Sequence, residues 1–316
     1  MTDRAGEPTS DPGGPRDGET SLPRTPEVTV CIPAYNERPN IGPLLAMVRG
    51  EVALGARITG VLVEVSGSTD GTGSTVRDFA REWPSVRVLD SPTRQGLARA
   101  VARLIEAAPT EVVARVDADV RFPPGTIVGL VNAMRDPSVG MSGARIVPAL
   151  SGRRILDRIL RAEYVLHHLI SELSPKLTNV QVFRKFPGRF EDDVETEDIL
   201  LQELATEGGR RALYLPELTV HILPPASLVG LFRQRVRVIS SERWYLYRTR
   251  RAAEPTTRPS FFVRAVLRGF STGELGPLDF GLFLLAESLA RFYSRARYSL
   301  IGHVRQATWQ SVRQEG

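Results

Sequence analysis

Over the first 120 residues, short apolar runs rich in β-branched residues alternate with stretches whose apolar residues recur every three or four positions. The runs are bounded by turn-forming residues, as strands are, and the longer stretches have the period of amphipathic helices. The predicted strands are 27–33, 58–65, 86–89 and 112–116, and a helix follows each of the first three. This alternation predicts an α/β fold with a mostly parallel sheet and helices on its faces.

Beyond residue 120 the hydrophobic pattern becomes more helical. The predicted elements there are strands over 139–147 and 180–183 and helices over 127–134, 153–173 and 227–251. The long helix 153–173 is interpreted as a core-facing helix, with a role in acceptor recognition or dimerisation as the alternative. Two apolar stretches studded with arginine and aromatic residues, 258–268 and 278–302, follow.

Composition narrows the classes of function. The chain has 316 residues, a net charge of +5 and 42% hydrophobic residues, which is ordinary for a globular protein. Almost all of the positive charge is arginine, and no basic run with interleaved aromatics marks a nucleic-acid interface, so no nucleic-acid partner is expected. The single cysteine, Cys31, is expected to be a buried structural thiol in the first strand.

Two carboxylates, Asp117 and Asp119, follow the fourth predicted strand. In an open α/β sheet, ligands bind at the carboxyl ends of the strands. Oxygen ligands at that position suit Mg²⁺ or Mn²⁺ carrying a substrate's phosphates, because these ions take few protein carboxylates and keep sites for phosphate and water. A strand that ends in solvated acids is the alternative that these residues alone leave open.

Four motifs at the ends of predicted strands resemble those of glycosyltransferase family 2, whose enzymes have the nucleotide-sugar-binding GT-A fold. Each motif alone is weak, but four in this order and at these separations are specific. They are Cys31-Ile32-Pro33-Ala34-Tyr35-Asn36-Glu37, Gly67-Ser68-Thr69-Asp70-Gly71-Thr72, Arg94-Gln95-Gly96-Leu97-Ala98-Arg99-Ala100 and Asp117-Ala118-Asp119. The resemblance implies a GT-A α/β domain, a Rossmann-like and mostly parallel sheet flanked by helices, followed here by a helical C-terminal extension.

The resemblance also implies roles for single residues. The residues implied to contact the nucleotide sugar in the first and third motifs are Pro33, Ala34, Tyr35, Glu37 and Arg94. Asp119, together with Asp117, is implied to hold Mg²⁺ or Mn²⁺ on the donor diphosphate. Asp117 and Ala118 are also implied to contact the donor ribose or phosphate.

The second motif departs from the usual family pattern. The family usually places one or two aspartates directly before the Gly-Ser, where a carboxylate reads the base, and this chain has Val65 and Ser66 there. A serine can hydrogen-bond an imide but makes no charge-assisted bond. Ser66 is therefore predicted as a nucleotide contact, and a UDP-sugar donor is favoured, with guanosine and thymidine donors left open. Glu64 is expected to point to the opposite face of the strand from Val65.

An acid-rich segment, 191–198, resembles the Thr-Glu-Asp block of cellulose and hyaluronan synthases, which belong to the same family. There the aspartate is the catalytic base of an inverting transfer, so the resemblance implies that Asp198 is the base and that Glu197 positions the acceptor or the base. Such a base is required, because a sugar hydroxyl is a poor nucleophile until a carboxylate takes its proton. The acids at 191–193 are interpreted as a solvated loop.

The block 232–238 resembles the Gln-x-x-Arg-Trp block of the same synthases, with Gln234 and Arg237 at the matching positions. Arg237 is implied to contact the diphosphate. Val238 replaces the tryptophan that stacks on the acceptor sugar, which argues against a polysaccharide synthase. The alternative is a basic amphipathic helix that covers the sheet or lies on a membrane, and the two roles are compatible.

These assignments divide the chain into three regions. Residues 1–25 are rich in Gly, Pro, Asp and Ser, lack the features of a signal peptide and are predicted to be a disordered tail. Residues 26–250 form the GT-A domain, with a nucleotide-binding half (26–120) and an acceptor half (121–250). Residues 251–316 form a helical basic extension that suits an anionic membrane surface, a helical cover or a dimer interface.

The sequence therefore predicts an inverting, metal-dependent glycosyltransferase that moves a sugar from a nucleotide-diphosphate sugar to a hydroxyl acceptor. The acceptor is left open among a lipid-linked sugar, an envelope glycan and a specialised metabolite. No apolar stretch is long enough to span a membrane, so a cytoplasmic protein is expected, at the inner face of the membrane if the extension binds lipid.

Two other functions are weighed against this one. A catalytically impaired nucleotide-sugar-binding or membrane-associated scaffold of the same fold is the main alternative, and the altered Val65-Ser66 positions are its only support. A sugar-nucleotide pyrophosphorylase would need a Gly-rich loop with a catalytic basic residue after the first strand, which 33–37 does not provide.

Overall fold

The computed structural model describes residues 24–186, 197–249 and 259–301, without the side chains of 244–249 and 297–301. The acidic loop 191–193, Thr196 and all but the last two residues of the predicted N-terminal tail lie outside the described residues.

Eight strands form one sheet in the described part of the chain. They are β1 (Val28–Ala34), β2 (Ile58–Ser66), β3 (Val86–Ser91), β4 (Val112–Val116), β5 (Val120–Arg121), β6 (Val139–Pro148), β7 (Val180–Arg184) and β8 (Arg211–Ile222). Their order across the sheet is β3-β2-β1-β4-β7-β6-β8-β5. The strands β1 to β4 pair in parallel, as the sequence predicts.

The other half of the sheet is mixed. Strand β7 runs antiparallel to both β4 and β6, and β8 runs parallel to β6 and antiparallel to β5. Because β7 lies directly beside β4, residues that follow one strand meet residues that precede the other. This brings the fourth motif into contact with a part of the chain more than 60 residues away.

Nine α-helices accompany the sheet in the described residues. They are α1 (Arg38–Ala53), α2 (Thr72–Glu82), α3 (Leu97–Ala107), α4 (Thr126–Ala133), α5 (Arg154–Leu173), α6 (Glu197–Thr206), α7 (Leu228–Thr249), α8 (Pro259–Thr272) and α9 (Pro277–Ile301). Buried residues of α1, α2 and α4 pack on one face of the sheet, and those of α3 and α6 pack on the other. The result is a three-layer α/β architecture.

Strand β2 shows how alternation assigns side chains to the two faces. Val63 and Val65 belong to the core under α1, whereas Leu62 packs with the core under α3. Glu64 lies on the α3 side, where its Oε1 accepts hydrogen bonds from Ser91 Oγ at 2.7 Å and Arg103 Nη1 at 2.6 Å. The prediction that Glu64 points away from the face of Val65 is confirmed.

Cys31 is buried in β1, as predicted. Burial raises the pKa of its thiol to about 12, and its Sγ donates to the carbonyl oxygen of Leu104 at 3.6 Å. A thiol in this state is a packing group and a poor nucleophile.

Strand β8 was not predicted, because Pro216 and Glu217 look like turn residues in the sequence. The structure accommodates them in an irregularity of the β6–β8 ladder. Ala144 pairs with Leu215, but the next residue of β6, Arg145, pairs with Thr219. A proline that cannot donate a ladder hydrogen bond is tolerated at such a bulge.

Helices α5, α7, α8 and α9 form a second packing unit on the sheet. Three small apolar clusters join them. Arg235 on α7 adds ion pairs to Glu163 on α5 at 2.8 Å and to Glu287 on α9 at 2.9 Å. Within the described residues, none of the helices is both long enough and apolar enough to cross a membrane.

Candidate active site

The loops after β1 and β2 are joined by hydrogen bonds between the first two motifs. Asn36, which has a φ of 54°, donates its backbone N–H to Ser68 Oγ at 3.1 Å and accepts one from Thr69 N–H through its Oδ1 at 2.9 Å. The backbone N–H of Glu37 donates to Thr72 Oγ1 at 2.9 Å. These bonds fix both loops at the carboxyl edge of the sheet, the edge at which ligands bind in such folds.

The third motif packs directly on the second. Gly67 has a φ of 65°, and a Cβ atom there would lie 2.5 Å from the backbone nitrogen of Arg94 and 2.8 Å from the carbonyl carbon of Thr93. Only glycine permits this approach. The backbone N–H of Gln95 also donates to Ser66 Oγ at 2.8 Å.

Arg94 and Tyr35 form a cation–π contact across the site. The guanidinium carbon of Arg94 lies 4.1 Å from the centroid of the Tyr35 ring. The structure thus brings together Tyr35, Ser66 and Arg94, which were predicted from three separate motifs. An aromatic ring beside a guanidinium offers a flat surface for a base and a cation for phosphate oxygens.

The remaining predicted nucleoside contacts lie on or just after β1. Pro33 and Ala34 are buried in the strand, and Glu37 is buried at the start of α1. Glu37 Oε2 accepts a hydrogen bond from Asn40 Nδ2 at 2.7 Å. Their contact with a nucleoside stays a prediction.

Asp117 is held by protein groups on both of its carboxylate oxygens. Its Oδ1 accepts from Arg115 Nη2 at 2.7 Å, and its Oδ2 accepts from Asn179 Nδ2 at 3.0 Å. Its backbone N–H donates to the carbonyl oxygen of Asn179 at 2.9 Å. Asp119 is half-buried two residues further on, beyond the buried Ala118. The assignment of Asp119, with Asp117, to a metal stays a prediction.

Arg115, in the middle of the apolar run of β4, is a site residue that the sequence analysis missed. Its side chain is 2% exposed and contacts three carboxylates. It pairs with Asp117, with Glu197 Oε1 at 3.3 Å, and with Asp198 Oδ1 through Nη1. These four residues are called the Arg115 cluster below. The available signal was a lone arginine between apolar residues two positions before an acid pair.

The two acids of the cluster that come from α6 lie in its first turn. A helix N-terminus favours negative side chains, which suits this position. Gln202 fixes the helix by donating to the carbonyl oxygen of Pro175 at 2.9 Å and accepting from the backbone N–H of Leu177 at 3.2 Å. Burial raises the pKa of Glu197 to about 7, and the neighbouring charge of Asp198 adds to this effect while Arg115 opposes it.

The acids fit a divalent metal that arrives with a diphosphate. Among the described residues, no group of three or more His, Cys, Asp or Glu side chains forms a closed metal site. Mg²⁺ or Mn²⁺ bound through one or two carboxylates, substrate phosphates and water needs no such group. Asp119 would supply the protein ligand, with Asp117 beside it.

Gln234 and Arg237 lie half-buried on α7. Arg235 joins this helix to α5 and α9 by ion pairs. Towards its other end, Glu242 Oε1 lies 3.7 Å from the Nζ of Lys176, in the segment that leads to Asn179. The helix thus runs close to the segment that leads into β7. The role of Gln234 and Arg237 at the diphosphate stays a prediction.

The family model described as "Glycosyl transferase family 2" matches residues 29–193, which is more than half of the chain and includes all four motifs. The chain belongs to glycosyltransferase family 2. The match ends before Asp198, so it does not bear on the acceptor-side acids.

Two kinds of curated family members are similar to this chain. A dolichol-phosphate mannosyltransferase of Pyrococcus furiosus is 31% identical over 121 residues, 38% of this chain and 34% of that protein. An N-acetylglucosaminyltransferase of Rhizobium meliloti is 25% identical over 272 residues, 78% of this chain and 59% of that protein. The matches to the three mannosyltransferases span only about a third to a half of their lengths.

A solved structure shares the fold over most of the chain. It is the mannosyltransferase PcManGT from Pyrobaculum calidifontis, in complex with GDP-Man and Mn²⁺. The TM-score is 0.59 at 22% identity, and the superposition covers 90% of this chain and 79% of that one. The GT-A-type α/β fold expected from the motifs is confirmed.

Proposed function

We propose that this chain is an inverting, metal-dependent glycosyltransferase that moves a hexosyl or N-acetylhexosaminyl group from a nucleotide-diphosphate sugar to a hydroxyl acceptor. The observation that carries the proposal is the Arg115 cluster, in which Asp117, just after β4, and the two acids of α6 share one guanidinium. The carboxylates proposed to serve the donor and the acceptor therefore lie close together, and Asp117 follows β4 at the same edge of the sheet at which Tyr35 follows the neighbouring parallel strand β1.

The chemistry follows from this arrangement. Asp198, whose side chain is 29% exposed, takes the proton of the acceptor hydroxyl as that oxygen attacks the anomeric carbon. A divalent metal at Asp119 would offset the charge that develops on the departing diphosphate. A single displacement on the face opposite the leaving group inverts the anomeric centre. Glu197 positions Asp198 through their common partner, Arg115.

The nucleotide base is the least constrained part of the donor. The hydroxyl of Ser66 already accepts a hydrogen bond from Gln95 and has one proton left to donate. Uracil, thymine and guanine all carry a carbonyl oxygen that can accept it. A UDP-sugar is our first candidate, because an uncharged serine suits an imide-containing pyrimidine. GDP-mannose is the second, because mannosyltransferases are among the relatives.

A panel of donors tests this function without knowledge of the acceptor. The purified chain is incubated with UDP-glucose, UDP-N-acetylglucosamine or GDP-mannose, and released nucleoside diphosphate is measured with Mn²⁺, with Mg²⁺ and with EDTA. We expect slow hydrolysis of one donor that requires the metal. Metal-dependent nucleotide binding without turnover of any donor would favour the scaffold alternative. If the chain neither binds a nucleotide nor turns over any donor, the proposal is contradicted.

We also propose that the acceptor is presented at an anionic membrane surface that α8 and α9 contact. These helices leave a row of apolar side chains exposed, although each helix is packed on α5. The exposed apolar residues are Val263, Leu267, Phe270, Leu278, Leu285, Leu289 and Phe292. Exposed arginines flank them at positions 264, 268, 291 and 295. Apolar residues with flanking arginines suit a bilayer that carries anionic lipids.

Sedimentation with vesicles tests the membrane contact. We expect the chain to co-sediment with phosphatidylglycerol-containing vesicles more than with pure phosphatidylcholine vesicles. The double variant Leu285→Ser/Phe292→Ser should lose this binding, whereas Leu54→Ser, at an exposed leucine after α1, should keep it. Equal binding by all three proteins, or none by the parent chain, would contradict the membrane proposal and leave the donor assay unaffected.

A further inference from the structure

The Arg115 cluster joins two parts of the site that lie far apart in sequence. Arg115 lies on β4 and Asp117 follows that strand directly, whereas Glu197 and Asp198 begin α6, about 80 residues later. Helix α6 is also held by Gln202, which hydrogen-bonds to the backbone of the segment before β7, and by Leu200, Leu201 and Ala205, which pack in the core under α3. Arg115 is therefore a direct side-chain link between the donor acids and the proposed base.

The guanidinium is itself held in one orientation. Gln181 on β7, fully buried, accepts a hydrogen bond from Arg115 Nη1 at 2.9 Å. The Gln181 amide is fixed in turn, because its Nε2 donates to the carbonyl oxygen of Leu177 at 2.7 Å. A planar fork fixed in this way directs Nη1 at Asp198 and Nη2 at Asp117 and Glu197.

We propose that Arg115 is a positioning residue for the transfer reaction. Its two terminal nitrogens hold the base Asp198 and the donor-side acid Asp117 at a fixed separation, so that the acceptor oxygen is aligned with the anomeric carbon. This inference rests on the proposed function, since it assigns Asp198 as the base. Arg115 does not contact the reacting atoms and acts through Asp198.

The difference between a guanidinium and an ammonium group explains why arginine is needed at position 115. An ammonium group is a point charge that satisfies one carboxylate well but cannot span several with parallel hydrogen bonds. Lysine would keep a cation among the buried acids and lose the fixed spacing. A displacement of a catalytic group by about 1 Å can cost about a hundredfold in rate.

The test compares Arg115→Lys with the parent chain, using Mn²⁺ and whichever donor of the panel above the parent chain hydrolyses fastest. We expect kcat for hydrolysis to fall by about tenfold to a hundredfold, with the donor KM changed by less than about threefold. The matched control is Arg103→Lys, at a cation that also pairs with a buried carboxylate, Glu64, and should keep kcat within twofold. A kcat within twofold for Arg115→Lys, or a loss confined to KM, would overturn the proposal.

A second variant covers the case in which Arg115→Lys does not fold. Gln181→Met leaves every charge in place and removes the acceptor that orients Nη1, together with the Nε2 donor to the carbonyl oxygen of Leu177. We expect a smaller fall in kcat, about threefold to tenfold, with KM unchanged. Should Arg115→Lys fail to fold and Gln181→Met keep kcat within twofold, the proposal is overturned.

Thermal unfolding separates failure of this inference from failure of the proposed function. The losses in Tm are measured for Arg115→Lys, Asp198→Ala and the double variant, with no substrate present. If Arg115 holds Asp198, the double variant loses less than the sum of the single variants, because the second change removes a contact already broken. Additive losses would overturn the link whether or not any donor is hydrolysed.

Discussion

The half of this protein that we assign to the donor and the half that we assign to the acceptor are built in different ways. The donor side, from β1 to β4, is a run of parallel strands whose end loops follow one another in sequence and are tied by short polar contacts such as Asn36 to Ser68. The acceptor side depends on pairings between distant segments. Asn179 meets Asp117 because β7 lies antiparallel beside β4, and Asp198 meets Arg115 because α6 packs on the same face of the sheet as α3.

Because the two halves are built differently, we expect substitutions in them to have different effects, one on nucleotide binding and the other on turnover. A substitution on the donor side should first affect nucleotide binding, because those loops carry the residues predicted to contact the base and the phosphates. A substitution at Asp198 should affect turnover and leave the nucleotide in place. The predictions below test that separation, beginning with the largest effect.

Replacing the proposed base should abolish turnover and spare binding. Asp198→Asn keeps an oxygen that can accept from Arg115 but cannot take a proton, so donor hydrolysis should fall by about a thousandfold. Nucleotide affinity, measured by calorimetry with Mn²⁺, should stay within about twofold. Glu207→Gln, at an exposed acid just beyond α6, serves as the control and should behave as the parent chain. Turnover near the parent rate would remove Asp198 from the role of base.

Replacing the proposed metal ligand should abolish the effect of the metal on nucleotide binding. In the parent chain we expect Mn²⁺ to raise nucleoside-diphosphate affinity by about tenfold or more, which corresponds to about 1.4 kcal/mol. Asp119→Ala should show equal affinity with Mn²⁺ and with EDTA. Asp78→Asn, at an exposed acid on α2, is the charge-matched control and should keep the metal effect. A metal effect that survives in Asp119→Ala would place the metal elsewhere.

Crowding at the second motif should disturb the donor loops. In Gly67→Ala the new methyl group meets the backbone of Arg94 and Thr93, so the loop must shift and stability should fall by about 1–3 kcal/mol. Gly55→Ala has a similar positive φ with open space around the position and should cost about 1 kcal/mol. Chemical denaturation measures both. Equal losses would show that the close approach at Gly67 carries no energy of its own.

Removing the cation over Tyr35 should weaken nucleotide binding modestly. Arg94→Ala loses a cation–π contact and a positive charge, and we expect about a fivefold loss of nucleoside-diphosphate affinity. Arg77→Ala, at an exposed arginine paired with Asp90, removes the same charge outside the loops and should leave affinity unchanged. An equal loss in both variants would indicate general electrostatic attraction in place of a specific contact.

The parallel half of the fold follows from local patterns. Strands β1 to β4 and their helices are encoded by continuous apolar runs and turn residues, and the glycine at position 67 marks a close approach that the structure contains. The short strand β5 and the strand β8 do not follow from such patterns. Pro216 falls inside β8, and only pairing with β6 makes that segment a strand.

Arg115 shows why part of the site could not be predicted. A single arginine in an apolar run gives no indication of which acids it meets, since its partners at 197 and 198 are brought to it by tertiary structure. The motifs identified the acids one by one. Their shared cation, and the amide of Gln181 that orients it, required the packed sheet.

The stereochemistry of the released sugar tests the central claim most directly. With an α-linked donor such as UDP-glucose or GDP-mannose, proton NMR during the first minutes of metal-dependent hydrolysis can identify the anomer that forms before mutarotation. Direct displacement by water activated at Asp198 predicts that the β-anomer forms first. Release of the α-anomer first would contradict a single inverting displacement and, with it, the role assigned to Asp198.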